Sequence, residues 1–237
     1  MDKKLQNKTM IWNGDSICAG GKLSGNWASR ICEKNNMKYK NYAVGGGTIS
    51  TGYPVCQGGV FRHSVLETID KMHEEYPDAD YVILEGGTND ADLIELRGNP
   101  ANLSVGEIDP NDFSGNYDLS TFTGCMETVI FKTLKFWNGK KIGFIIPQKM
   151  GCIVEEFNVR RKYFDIEIKI LEKWGIPYID LWHSCYLNPN LFWMHDSTKT
   201  AEENHKENTG YYVDNQHMTA LGYDYTGELI ENWILSL

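Results

Sequence analysis

The sequence lacks the segments that carry a chain into or across a membrane. Its N-terminal stretch, MDKKLQNKTMIWNG, has no apolar h-region with a small-residue cleavage site, and no apolar run is long enough to span a bilayer. We therefore expect no membrane span and a cytoplasmic protein. A signal peptide removed beforehand would leave the same pattern.

Basic residues are in the minority. The 23 Lys and Arg residues face 32 Asp and Glu residues, which gives a net charge of -9. Such a surface repels the phosphates of nucleic acid and the headgroups of an anionic membrane. A small or neutral substrate is the partner that this charge favours, whereas the oligomeric state is not encoded in any pattern we recognise.

Paired metal-ligating and phosphate-binding motifs are also missing. No two cysteines form C-x-x-C, no histidines form H-E-x-x-H, and the glycines match neither the P-loop nor the dinucleotide-binding spacing. We expect reduced, mostly buried thiols and no metal. The six cysteines are Cys18, Cys32, Cys56, Cys125, Cys152 and Cys185.

Short β-rich runs alternate with longer amphipathic stretches, which is the pattern of βα units around a parallel sheet. The predicted strands are residues 10–12, 40–44, 81–85, 141–146 and 178–181. The predicted helices are residues 27–35, 65–75, 123–137, 156–174 and 220–235. This pattern predicts a flavodoxin-like, three-layer α/β/α sandwich with a five-stranded parallel sheet.

The length suits one domain, so we assign residues 1–237 to a single domain. Two segments, residues 92–119 and 185–212, are rich in polar and turn-forming residues and match no regular element. Loops this long in a compact domain tend to be functional or disordered.

Glycines follow three successive strands, where ligands bind in sheets of this kind. Gly14, Asp15 and Ser16 follow the first strand, residues 45–47 (GGG) follow the second, and residues 86–90 (GGTND) follow the third. Each set has an ordinary structural interpretation, since Gly-Asp-Ser and Asn-Asp are common turn and helix-cap residues.

Together, however, these residues supply the groups of one reaction. Ser16 is a weak nucleophile until a base removes its proton, and His217 could be that base if Asp214, three residues earlier, orients it. A tetrahedral intermediate then needs hydrogen-bond donors at its oxyanion, which Asn89 and the backbone of Gly46 could provide.

The chain resembles the SGNH, or GDSL, hydrolase superfamily. Four blocks match in order: NGDS at residues 13–16, NYAVGGG at 41–47, GGTND at 86–90 and DNQH at 214–217. The resemblance implies a flavodoxin-like serine esterase or acylhydrolase that needs neither cofactor nor metal. It departs from the commonest pattern in Ile17-Cys18 after the serine and in Asn215-Gln216 before the histidine.

The resemblance assigns a role to each block. The catalytic residues are Ser16, Asp214 and His217, and the oxyanion donors are the amides of Ser16 and Gly46 and the side chain of Asn89. Either neighbour of Gly46 could replace it, which leaves a one-residue ambiguity. Asp15 is expected to support the turn that presents the serine.

The substrate is less well specified. Aromatic residues in the polar loops, Phe192, Trp193, Tyr211 and Tyr212, favour short acyl esters such as acetyl esters, on a carbohydrate carrier. Ordinary packing explains these aromatic residues equally well. The alternatives are a lipid acylhydrolase or thioesterase, a catalytically silent carbohydrate-binding domain on the same scaffold, and a flavin-binding domain.

Overall fold

The structure is a computed structural model that describes residues 4–53, 63–151, 154–207 and 209–237, with the backbone but not the side chain of Phe192. Cys56 and Cys152 lie outside the described residues. The remaining cysteines are buried free thiols: Cys18, Cys32, Cys125 and Cys185.

The described residues contain a five-stranded parallel sheet in the order β2-β1-β3-β4-β5. The strands are β1 (Thr9–Asn13), β2 (Lys38–Asn41), β3 (Tyr81–Glu85), β4 (Lys141–Ile146) and β5 (Tyr178–Asp180). The central strand β3 is buried throughout, because helices cover both of its faces. This is the strand order of a flavodoxin-like sheet, which confirms the predicted fold class.

Helices occupy both faces of the sheet. The longer ones are α2 (Trp27–Lys34), α3 (Val65–Glu75), α5 (Phe122–Phe136), α6 (Val154–Trp174), α8 (Ala201–Glu207) and α9 (Ala220–Ile234), and the short ones are α1 (Ser16–Ala19), α4 (Thr88–Ala91) and α7 (Leu181–Ser184). Helices α2 and α9 pack together, and α5 packs against α3 and α6.

The helices begin where the sequence supplies a capping side chain. Asn26, Ser64, Thr121 and Thr219 each accept a hydrogen bond from an amide in the first turn of α2, α3, α5 and α9, respectively. Such caps satisfy amides that have no partner inside the helix. The helix starts are therefore fixed by local chemistry as well as by packing.

The second strand is displaced from its predicted position. It was expected at residues 40–44 and lies at Lys38–Asn41. Beyond Asn41 the amide of Val44 still donates to Gly14 O at 3.2 Å, but the amide of Gly14 donates to the side chain of Asn13 and does not return a bond, so regular pairing ends. The chain then leaves the sheet towards the glycines at 45–47.

The two long polar segments contain short elements that the sequence pattern did not indicate. A π-helical turn, Asp92–Leu96, begins the first segment, and a 3-10 turn, Phe192–Met194, and helix α8 lie in the second. Among the described residues, no helix is long and apolar enough to cross a membrane.

Strand register brings three chain segments to one edge of the sheet. Trp12 pairs with Asn41 and Ile83, and Asn13 pairs with Leu84. Parallel strands in this register end together, so the residues that follow β1, β2 and β3 meet at the same edge. This edge carries the candidate active site.

Candidate active site

Ser16 is the first residue of α1, directly after the turn that closes β1. Asp15 caps this short helix by accepting the amide of Ile17 at 2.8 Å. The turn holds the Ser16 side chain half-buried at the sheet edge. Its amide lies in the first helical turn, where amides have no partner inside the helix.

His217 lies 201 residues after Ser16 and contacts it directly. His217 Nε2 lies 2.9 Å from Ser16 Oγ, and His217 Nδ1 lies 2.9 Å from Asp214 Oδ2. The other oxygen of Asp214 accepts the amides of Gln216 and His217, at 2.7 and 2.6 Å. The structure thus brings the three residues into one hydrogen-bonded series.

The pKa shifts of His217 and Asp214 suit a histidine base that is held by a carboxylate. The hydrogen bond to Asp214 raises the pKa of His217 above its ordinary value, although burial acts in the opposite direction. Burial would raise the pKa of Asp214, but its hydrogen bonds and the charge of His217 outweigh burial and lower it. Asp214 is therefore an anion that stabilises the protonated imidazole.

A second Asp-x-x-His pair lies elsewhere on the molecule. Asp180 Oδ2 is 2.6 Å from His183 Nδ1 on α7, and Asp180 Oδ1 accepts the amide of His183. The His183 side chain is 60% exposed and lies beside Arg161. The two pairs have the same local geometry, but only His217 is bonded to a serine hydroxyl.

Asn89 lies in α4, beyond the end of β3. Its Nδ2 donates to Gly47 O at 2.8 Å and to Asp15 Oδ2 at 3.3 Å. Both amide hydrogens are thus directed at protein acceptors. For Asn89 to donate to a bound oxyanion, it must give up one of these bonds, and the longer one to Asp15 is the weaker.

Two of the glycines after β2 have a backbone feature that bears on their role. The amide of Gly47 donates to Val44 O at 2.9 Å and so closes a turn. Gly46 has a φ of +77°, a conformation that side chains with a Cβ rarely adopt. The turn occupies the amide of Gly47, which removes Gly47 as an oxyanion donor.

Asp90 links the chain after β3 to the chain after β2 by hydrogen bonds. Its carboxylate oxygens accept the amides of Ile49 and Ser50 at 2.8 and 3.0 Å, and burial raises its pKa. Asp90 therefore holds the glycine segment in position. Sequence analysis placed Asp90 in a matching block but gave it no role.

Buried acids lie beneath the serine. Glu85 accepts the amide of Asp15 at 3.0 Å, and burial raises the pKa of Glu85 well above its ordinary value. Burial also raises the pKa of Asp15 to about 6, against the hydrogen bond from Ile17. Glu85 is not recognisable from the sequence, since its position at the end of an apolar strand does not reveal its contact with Asp15.

Glu167 on α6 completes this set of acids. It is fully buried, and neither side-chain oxygen has a hydrogen-bond partner among the described residues. It fills space left by Gly87, where an added Cβ would lie 1.8 Å from Glu167 Oε1. Burial raises the pKa of Glu167 well above its ordinary value, because the charged carboxylate would lie away from water.

We expect Glu167→Gln to become increasingly more stable than the wild type as pH rises. A raised folded pKa contributes stability below the unfolded value, near 4.3, and that stability is lost as pH rises towards the folded value. The difference in free energy of unfolding should grow as pH rises above the unfolded value, by at most about 1.4 kcal/mol per pH unit. Urea denaturation at several pH values measures it.

The control is Glu155→Gln, because Glu155 is an exposed residue of the same helix. The difference in free energy of unfolding between Glu155→Gln and the wild type should not grow with pH. A Glu167→Gln difference that stays constant from pH 5 to pH 7 would show that Glu167 is ionised in the folded protein.

Solved structures with the same architecture cover nearly the whole chain. A lipase/acylhydrolase from Enterococcus faecalis is 16% identical, with a TM-score of 0.57 over 96% of this chain and 95% of that one. A carbohydrate acetylesterase from Sinorhizobium meliloti is 12% identical, with a TM-score of 0.60 over 97% and 99%. The aryl esterase of M. smegmatis is 13% identical, with a TM-score of 0.60 over 97% and 99%.

These likenesses establish the fold of the chain. No protein-family model matches the sequence, and no curated protein does. At such low identities the fold alone is shared, and a shared fold hosts many activities.

Proposed function

We propose that this protein is a serine esterase of the SGNH hydrolase superfamily, which hydrolyses short-chain acyl esters through an acyl-enzyme. The observation that carries the proposal is the series Asp214, His217 and Ser16, joined by hydrogen bonds of 2.9 Å. A helix-capping serine has no need of a histidine base from the far end of the chain. The similarity of the fold to a lipase/acylhydrolase and two esterases supports the same activity.

The reaction begins with proton transfer from Ser16 to His217. As Ser16 Oγ bonds to the ester carbonyl carbon, its proton moves to His217 Nε2, and Asp214 stabilises the resulting imidazolium. The amides of Ser16 and Gly46 and the side chain of Asn89 donate to the oxyanion. His217 then protonates the departing alcohol oxygen.

Deacylation repeats these steps with water. His217 takes a proton from water, the hydroxide oxygen bonds to the acyl carbon, and the bond to Ser16 Oγ breaks as that oxygen regains its proton. Neither a metal nor a cofactor enters this scheme. Asp15 and Glu85 support the turn under Ser16 and take no part in proton transfer.

A small acyl group, and acetyl above all, is the acyl part that we propose. One of the structures with this fold is a carbohydrate acetylesterase. Among the aromatic residues that suggested a sugar-contacting surface, Trp193 is 53% exposed, whereas Tyr212 is fully buried and donates to Lys149 O. Tyr212 is therefore part of the core, and the case for a carbohydrate has to come from other residues.

The test combines turnover with covalent labelling. We expect the protein to hydrolyse p-nitrophenyl acetate faster than the butyrate, and the butyrate faster than the octanoate. Diethyl p-nitrophenyl phosphate should transfer one diethylphosphoryl group to the activated serine and release one equivalent of p-nitrophenol. Peptide mass spectrometry should locate this group on Ser16.

Urea-unfolded protein is the control, because it keeps every serine but loses the contact with His217. It should acquire no label. A label on another residue of the folded protein, or hydrolysis without any labelling of Ser16, would contradict the proposed mechanism.

A further inference from the structure

A cavity of about 250 Å³ opens directly beside Ser16 and His217. It is smaller than the roughly 300–1,000 Å³ that holds a drug-sized ligand, so a single small ring suits it. We call it the serine cavity. Its lining residues are Ser16, Gly20, Gly21, Ser24, His205, Val213, His217, Met218 and Tyr223.

The cavity lies on the histidine side of the serine. His217 is part of its wall, whereas the described lining residues include neither Gly46 nor Asn89. The oxyanion therefore points away from the cavity, towards Asn89. His217 Nε2 has to protonate the alcohol oxygen as the ester C–O bond breaks, so that oxygen must lie next to His217. The serine cavity is thus placed for the alcohol half of the ester.

The floor of the cavity is a glycine hairpin. Gly21 and Gly25 exchange backbone hydrogen bonds of 3.1 and 2.8 Å, with Ser24 inside the turn. Ser24 is buried and donates to Gly25 O at 3.1 Å, so its oxygen keeps lone pairs that can accept a hydrogen bond. The hairpin provides a fixed polar floor.

His205 faces this floor from helix α8. A Cβ built on Gly21 would lie 4.0 Å from His205 Nε2, so the imidazole lies close to the hairpin. His205 is half-buried, and its ring has no hydrogen-bond partner among the described residues. A half-buried imidazole without a partner is available to a ligand.

The opposite wall is apolar. Val213, Met218 and Tyr223 are all buried, and the Tyr223 hydroxyl donates to Ile17 O at 2.6 Å, which leaves the ring as its available surface. A wall of this kind facing two polar side chains suits a pyranose or furanose ring, which has apolar C–H faces and hydroxyl groups at its rim.

We propose that the serine cavity is the leaving-group subsite and that His205, with Ser24, binds hydroxyl groups of a polyhydroxylated alcohol such as a sugar. The proposal rests on the proposed esterase function and specifies its substrate class. His205 determines which alcohol part of the ester is preferred. It takes no part in the transfer of protons to or from Ser16.

The experiment compares two acetate esters with leaving groups of similar size. One is a mono-O-acetylated methyl xylopyranoside, whose ring bears free hydroxyls, and the other is cyclohexyl acetate, whose ring bears none. The quantity measured is the ratio of kcat/KM for the sugar ester to that for cyclohexyl acetate. The wild type should favour the sugar ester.

We expect His205→Phe to lower this ratio about tenfold, because it keeps a ring but removes both nitrogens. His205→Gln retains a hydrogen-bonding side chain and should restore most of the ratio. His183→Phe is the matched control on α7, outside the cavity, and should leave the ratio unchanged. Thermal unfolding of each variant checks that it is folded.

The outcomes separate the two proposals. A ratio that His205→Phe leaves at the wild-type value, with hydrolysis still dependent on Ser16, overturns the subsite and retains the esterase. A wild type that prefers cyclohexyl acetate also overturns the subsite, because the cavity then binds apolar alcohols. A wild type that hydrolyses neither ester and takes no phosphoryl label on Ser16 overturns the esterase, and the subsite with it.

Discussion

Ser16→Ala is expected to lower kcat for p-nitrophenyl acetate by about 10⁴-fold or more. The substitution removes the atom that lies 2.9 Å from His217 Nε2 and that would carry the acyl group. The remaining donors near Asn89 could still polarise the carbonyl, so a small residual rate above the uncatalysed one is expected. The initial rate of p-nitrophenol release measures the effect.

The matched control is Ser29→Ala. Ser29 is a half-buried residue of α2, and its hydroxyl donates to Asn26 O, away from the site. The Ser29→Ala variant should hydrolyse p-nitrophenyl acetate at the wild-type rate. Equal rates for Ser16→Ala and the wild type, with both proteins folded by circular dichroism, would return Ser16 to the role of a helix-start residue.

Asp214→Asn is expected to lower kcat by about 10³–10⁴-fold, although it changes the shape of the site little. An amide that donates to His217 Nδ1 favours the tautomer with its proton on Nε2, which cannot accept the proton of Ser16. Asp180→Asn is a close control, because Asp180 makes the same contacts with His183 as Asp214 makes with His217. It should leave kcat unchanged.

The pH profile gives a second measurement of the same variant. In the proposed mechanism neutral His217 is the active form, and Asp214 raises its pKa, so we expect activity to be lost as pH falls through that raised value. In Asp214→Asn the pKa of His217 falls, and the acid limb of kcat/KM should move to lower pH. An acid limb that stays in place would show that another group controls it.

The sequence predicted the sheet well because apolar composition alone marks a buried parallel strand. β3 and β4 have the predicted bounds, since YVILE and KIGFII are apolar runs between polar residues. β2 differs because its regular pairing ends where the amide of Gly14 bonds to the side chain of Asn13, which composition does not reveal. Helix α8 was missed because AEENHKE has no apolar face.

The sequence also indicated which residues would approach one another in the site. Ser16, His217 and Asp214 are in contact, although their catalytic roles stay a prediction. It gave no sign of the contacts between side chains and distant amides that hold the site, such as Glu85 with Asp15 and Asp90 with Ile49. Those pairs form only when separate strands end at one edge, so no local pattern predicts them.

The serine and its base come from opposite ends of the chain, and this has a consequence for biosynthesis. The last strand of the sheet ends at Asp180, well before His217 leaves the ribosome. Helix α9 then packs against α2. Trp27 Nε1 donates a hydrogen bond to Thr226 Oγ1, and Arg30 Nε donates one to Asp224 Oδ1. Under the proposed mechanism, a nascent chain with a complete sheet therefore still has an unactivated serine, and we expect no ester hydrolysis until helix α9 docks.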